Sequence, residues 1–178
     1  MPVYRDTLIT MKRLILVRHA KTEPLTDADS DFERQLKRRG HKDARLISDH
    51  LIGKRIVPEV IISSPAIRAI QTARIMAGAF SIPESEIIDA PFIYEGFSVD
   101  RFISRIAQMA GKYDSVMVVG HNPDIALMAI QLAGDNFFNY PTSATASIVF
   151  TVTQWDQIKP GSGRTEMFVF PKELKEKK

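Results

Sequence analysis

The sequence predicts an α/β protein, a three-layer α/β/α sandwich built on a mostly parallel sheet that finishes in an antiparallel hairpin. Three observations carry that expectation. Unbroken apolar runs such as Leu14-Ile15-Leu16-Val17 and Val116-Met117-Val118-Val119 are short and read as strands buried on both faces. Segments with apolar residues at helical spacing lie between such runs, the alternation that builds a parallel sheet covered by helices. Near the end, Ala144 to Val152 and Thr165 to Phe170 are β-rich and flank the turn Pro160-Gly161-Ser162-Gly163, which places a hairpin at one side of the sheet.

Taken in order, Met1 to Thr10 shows no clear period and is expected to be an extension outside a single domain at 11–171, with a charged tail at 172–178. The first strand, Leu14 to Val17, ends in Arg18-His19, and Lys21 to Asp31 is a polar loop expected to cover or line a crevice there. From Leu36, the residues Leu36, Ala44, Ile47 and Leu51 form an apolar helical stripe. Gly40 falls on that stripe, which suggests close approach to the sheet, and Gly53 is expected to supply a left-handed cap. Val57 to Ile62 reads as the second strand. Ser64 and Pro65 then suit the N-cap and first position of a helix that runs to about Phe80 and carries Arg68 in its first turn.

Glu86 to Ala90 is a short strand, Pro91 to Phe97 a loop, and Ser98 opens a helix closed by Gly111. Ser115 to Val119 is a strand of the same buried type as the first. It leads into Gly120-His121-Asn122-Pro123, with Asn122 as the N-cap of a helix that stops at Gly134.

Composition narrows the function classes. At 178 residues the chain can bury a core without disulfides or metals, and with no Cys it has no thiol nucleophile and no thiolate metal site. The net charge of +3 is spread along the chain, dense only at Lys37-Arg38-Arg39 and in the tail, so no nucleic-acid partner is expected. No early apolar run is long enough for a signal-peptide core or a membrane span. The reading is a soluble cytoplasmic protein without a membrane partner.

Three strand ends thus deliver Arg18 with His19, then Arg68, then His121. In open α/β sheets ligands bind at the carboxyl ends of the strands, and cations there suit an anionic substrate. Two guanidiniums can grip phosphoryl oxygens, an uncharged imidazole can attack phosphorus, and a second imidazole can stabilise the group in transfer. No metal or other cofactor is required by that set. His41 and His50 belong to polar or boundary faces of one helix and lack the spacing of a metal site.

These residues resemble a known family. Arg18-His19-Ala20 is similar to the Arg-His-Gly signature of the histidine phosphatase superfamily, also called phosphoglycerate mutase-like. Ser63-Ser64-Pro65-Ala66-Ile67-Arg68-Ala69-Ile70-Gln71-Thr72 resembles its second signature, and Gly120-His121-Asn122-Pro123 its late His motif. The small size and Thr142-Ser143-Ala144-Thr145-Ala146-Ser147 resemble the SixA-like branch of phosphohistidine phosphatases. The resemblance implies a phosphoglycerate mutase-like fold, His19 as nucleophile, Arg18, Arg68 and His121 as catalytic partners, and Glu95 as a proton donor. It further implies substrate contacts from Arg18, Arg68, Arg34 and Ser143. The chain departs from the pattern at Ala20, where the family has Gly, and at Gln35 and Lys37, where the branch tends to carry Pro and Thr.

The implied substrate is phosphohistidine on a protein. A small phosphate ester, or a binding module without turnover, stays open at this point.

Overall fold

The computed structural model describes residues 10–137 and 139–177, so the extension expected over 1–10 lies, but for Thr10, outside the described residues. Six strands form one sheet in the order β3-β2-β4-β1-β5-β6: β1 (Lys12–Arg18), β2 (Val60–Ser63), β3 (Ile88–Asp89), β4 (Ser115–Gly120), β5 (Thr145–Phe150) and β6 (Arg164–Val169). Pairing is parallel from β3 to β1, then antiparallel through β5 and β6. Both the parallel centre and the terminal hairpin match the expectation.

Alternation along β1 explains the three layers, since successive side chains of a strand point to opposite faces. Leu14 and Leu16 enter a core with Val116, Val118, Phe102, Ile106, Ile125 and Met128. Ile15 and Val17 enter a second core with Met117, Val119, Ile47, Leu51, Ala73 and Met76. The first core is covered by α3 (Pro91–Glu95), α4 (Val99–Ala110) and α5 (Asp124–Ala133). The second is covered by α1 (Arg38–Gly53) and α2 (Ile67–Ala79), joined by Leu174 from the short α6 (Pro171–Glu176).

Several boundaries differ from the expectations. The segment from Pro91 is a five-residue helix, not a loop, with Pro91 in its first turn and Phe92 and Ile93 buried. Gly53 stays inside α1, and the left-handed residue beyond the helix is Arg55, with φ of 58°. Gly40 does meet backbone closely, but its neighbour is the Lys21 carbonyl of the polar loop rather than the sheet. α2 begins at Ile67 because Ser64 and Ala66 make a turn first, the Ser64 hydroxyl accepting from the Ala66 N–H at 3.3 Å. α5 begins after Pro123, and the Asn122 side chain donates to the Tyr140 carbonyl instead of capping. Residues 171–176 are helical, and Lys175 reaches the buried Asp43 carboxylate at 2.5 Å.

Two caps follow the expected chemistry. Ser98 accepts from the Arg101 N–H at 3.2 Å, and Gly134 takes the left-handed conformation, with φ of 72°, that ends α5. Among the described residues no helix is long and apolar enough to cross a membrane.

Candidate active site

The carboxyl ends of β1, β4 and β2 lie side by side, with Arg18 paired to Gly120 and Ser63 to Val119 in the parallel register. His19, Arg68 and His121 therefore issue from adjacent strand ends. The His19 N–H donates to the Gly120 carbonyl at 2.9 Å, which ties the end of β1 to the residue before His121. Glycine is needed at 120, because a Cβ would lie 2.8 Å from Ile93 and 2.9 Å from Ile125, where α3 and α5 close over the strand.

The two imidazoles face each other with ring centroids 5.3 Å apart. His19 is 7% exposed, and its Nδ1 lies 2.9 Å from the Ala20 carbonyl oxygen. A carbonyl only accepts, so Nδ1 carries the proton and the Nε2 lone pair is left for chemistry. Burial pushes the His19 pKa down to about 3, reinforced by His121, Arg68 and Arg18 against the opposing bond to Ala20. Ala20, standing where the family signature has Gly, packs its methyl against Leu36 and Ala44. Its backbone N–H donates to Thr72 Oγ1 at 3.0 Å, and that hydroxyl donates to the Arg68 carbonyl at 2.7 Å. One threonine thus joins the loop after His19 to the helix that carries Arg68.

His121 is pushed down to about 4 by burial and by Arg68, with Asp31 working in the other direction. Its Nε2 lies 2.7 Å from the Ser64 hydroxyl, and its Nδ1 is buried without a partner among the described residues. Both imidazoles are accordingly neutral near pH 7.

Arg18 and Arg68 stand on different supports. Arg18 donates through Nη1 to the Tyr140 carbonyl at 2.9 Å, and burial lowers its pKa. That carbonyl also takes the Asn122 amide, while the Tyr140 hydroxyl donates to the Leu16 carbonyl at 2.6 Å. Arg68 is 5% exposed and gives one terminal nitrogen to the Asp31 carbonyl and the other to Asp31 Oδ2, the latter at 2.8 Å. The Nε atoms of both arginines are buried without partners among the described residues.

The remaining expected residues divide. Ser143 is at the site: its N–H donates to the carbonyls of Arg18 and His19 at 3.1 and 3.2 Å. It is fully buried with φ of 62°, and its hydroxyl has no partner among the described residues. Such a conformation costs a non-glycine residue about 1 kcal/mol or more and is held by the surrounding bonds. Arg34 is turned to the loop, donating to Asp31 Oδ1 at 3.2 Å, the Glu23 carbonyl at 3.1 Å and Thr22 Oγ1 at 2.8 Å. Glu95 is not brought to the cluster. Its side chain is 59% exposed and faces Arg101 at 3.6 Å.

The neighbouring Tyr94 is the α3 residue beside the cluster, 40% exposed with its ring edge-on to His121 and centroids 5.7 Å apart. Asp31, Ser64, Tyr94 and Tyr140 were not singled out for the site from the sequence. Asp31 carried one usable signal, its place three residues before Arg34 in the loop after the first strand.

Comparison with known proteins agrees with this fold. A family model described as the histidine phosphatase superfamily (branch 1) matches residues 14–90. The fold is similar to that of the candidate phosphohistidine phosphatase SixA from Agrobacterium tumefaciens, at 28% identity and a TM-score of 0.74, covering 90% of this chain and 98% of that one. It is likewise similar to the protein histidine phosphatase SixA complexed with tungstate, at 25% identity and a TM-score of 0.76, covering 91% and 99%. An uncharacterized protein of Mycobacterium tuberculosis is 26% identical over 170 residues, 88% of this chain and 100% of the relative.

Proposed function

Because the chain belongs to the histidine phosphatase superfamily and has a SixA-like fold, we propose that it removes the phosphoryl group from phosphohistidine on a protein. The observation that carries this reading is the neutral His19, its Nδ1 proton held by Ala20 and its ring facing His121 between two arginines. In the proposed reaction the Nε2 lone pair attacks phosphorus in line, and the bond from phosphorus to the substrate imidazole breaks. The phosphoryl group passes to His19, and water then attacks the phosphohistidine to release inorganic phosphate and restore the imidazole.

Arg18 and Arg68 would hold the equatorial oxygens, where positioning and charge stabilisation supply most of the catalysis in phosphoryl transfer. If the Ser64 hydroxyl donates to His121 Nε2, Nδ1 keeps its proton and can donate to a phosphoryl oxygen. The buried Ser143 hydroxyl is a further donor for the substrate. With these groups the step requires no metal ion.

The position of Glu95 supports the choice of substrate. An alkoxide leaving group needs a proton in the transition state, whereas an imidazole leaves readily once protonated from solution. The carboxylate expected to supply that proton is exposed and turned to Arg101. The SixA neighbours, a candidate phosphohistidine phosphatase and a protein histidine phosphatase, point the same way.

Comparing turnover of a phosphohistidine peptide with that of sugar phosphates and phosphoglycerate tests the proposal. Preference for the phosphohistidine peptide by at least about a hundredfold in kcat/KM, about 2.7 kcal/mol, is the expected result. Equal or better turnover of an ester would make the protein a small-molecule phosphatase. Binding of phosphate without turnover of any substrate would make it a binding module.

A further inference from the structure

We infer that Asp31 is a positioning residue that aims the Arg68 guanidinium, and that Arg34 serves the reaction through Asp31 rather than by touching the phosphoryl group. Asp31 meets Arg68 with two acceptors, its backbone carbonyl and its Oδ2. These take both terminal nitrogens of the guanidinium and fix its plane, as a two-point contact to a planar fork does. The other carboxylate oxygen accepts from Arg34.

Arg34 has its three nitrogens engaged, on Asp31, the Glu23 carbonyl and Thr22 Oγ1, so its fork holds the loop that carries Asp31. Two further contacts fix the same loop segment to the site. The Tyr94 hydroxyl donates to Asp31 Oδ2 at 3.4 Å, and the Phe32 carbonyl accepts from the Ile67 N–H at 3.0 Å, one residue before Arg68. The two pairings with arginine hold the Asp31 carboxyl below its usual pKa even though burial acts to raise it. It therefore stays an anion at neutral pH.

Charge and positioning make opposite predictions here. As a bare negative charge beside an oxyanion site, Asp31 would repel phosphate, so neutralising it would tighten binding. As the support of Arg68 it holds a donor where the phosphoryl oxygens must lie, and a misplacement of about 1 Å at such a donor can cost about a hundredfold in rate. The Asp31 side chain is 46% exposed, which screens the repulsion, while the bonds to the 7% exposed Arg68 side chain are shielded.

The inference rests on the proposed role of Arg68 in gripping the phosphoryl group. Tungstate affinity by calorimetry and turnover of a phosphohistidine peptide are measured for the full chain and for Asp31→Asn, Arg34→Ala, Arg68→Ala and the doubles Asp31→Asn/Arg34→Ala, Asp31→Asn/Arg68→Ala and Arg34→Ala/Arg68→Ala. Thermal melting of each variant is recorded alongside. Asp31→Asn should weaken tungstate binding about fivefold or more and lower kcat about tenfold or more, with its melting temperature within a few degrees of the parent. Arg34→Ala should do the same to a lesser degree. The first double should be no worse than Asp31→Asn alone within twofold, and in the Arg68→Ala background Asp31→Asn should change nothing further.

Tighter or unchanged tungstate binding in Asp31→Asn overturns the positioning role. Multiplying losses in the first double overturn the indirect role of Arg34. If Asp31→Asn does not fold, the comparison of Arg34→Ala in the parent and Arg68→Ala backgrounds decides instead, because a loss that persists without Arg68 contradicts the inference. Tungstate binding without turnover in the parent removes the proposed function and still leaves the positioning role to be judged by affinity. A parent that binds no tungstate removes both.

Discussion

At the amino end of β1, Lys12 is buried against the Asp114 carboxylate at 2.7 Å, and Arg13 meets Glu166, which also accepts from the Ser147 hydroxyl. At the carboxyl end of the same strand, Arg18 has a backbone carbonyl for a partner, and the neighbouring Arg68 has Asp31. Five of the seven buried side-chain polar atoms without a partner among the described residues lie at this second end: Arg18 Nε, Arg68 Nε, His121 Nδ1, Asn122 Oδ1 and Ser143 Oγ. Buried polar groups in proteins are nearly always satisfied, and exceptions call for a reason. The difference lies in how completely the cations are paired. Lys12 and Arg13 each meet a carboxylate, and neither is left with an unmatched buried nitrogen among the described residues. Arg18 and Arg68 each keep a buried Nε without a partner there, which under the proposed function leaves donors for a phosphoryl group.

Substitutions at the two ends should separate activity from stability. His19→Ala removes the proposed nucleophile and should lower turnover by about four orders of magnitude or more, as loss of a covalent nucleophile does in other enzymes. His121→Gln replaces the imidazole proposed to donate to the transferring group and should cost about a hundredfold to a thousandfold in kcat. At the other end, Glu166→Gln weakens contacts to Arg13 and Ser147 and should cost about 1 kcal/mol in urea denaturation while leaving kcat/KM within twofold. A large activity loss in Glu166→Gln would break the comparison.

How far the sequence carried each region follows from what is local in it. Arg18, His19, Arg68 and His121 sit within a residue or a turn of strand ends that short apolar runs mark, so sheet topology was enough to gather them. Asp31, Tyr94 and Tyr140 reach the site from loops and a five-residue helix, whose placement depends on tertiary contacts such as Tyr94 to Asp31 and Tyr140 to Leu16. The resemblance pointed to Glu95 as a carboxylate at the site, but in a short helix adjacent residues face different ways, and Tyr94 lies edge-on to His121 while Glu95 faces Arg101. The C-terminal helix was hidden by the charges of its sequence, and it is docked through Leu174, Lys175 and the buried Pro171.

Smaller effects sharpen the same contrast. The folded protein takes protons on His19 and His121 less readily than the unfolded chain does, since burial and nearby cations push them to about 3 and about 4. Stability from this source is complete above the unfolded value of about 6.5 and is lost as pH falls from there toward those folded values. In an NMR titration both ring signals should remain in the neutral position at about pH 5.5, and a midpoint near 6.5 for either would contradict the buried, cation-flanked site. Glu95→Gln should change kcat/KM less than twofold on phosphohistidine and on esters alike, because its carboxylate faces Arg101. A selective hundredfold loss on esters would restore it as a proton donor.

Passage of the phosphoryl group through His19 is the central step of the proposed reaction. Rapid quenching of the protein with a radiolabelled phosphohistidine peptide, followed by mapping of the label, tests that most directly. The expected result is an acid-labile, alkali-stable label on the peptide containing His19, present in the parent and absent in His19→Ala. Label that persists undiminished in His19→Ala, or that maps to another residue, would contradict it.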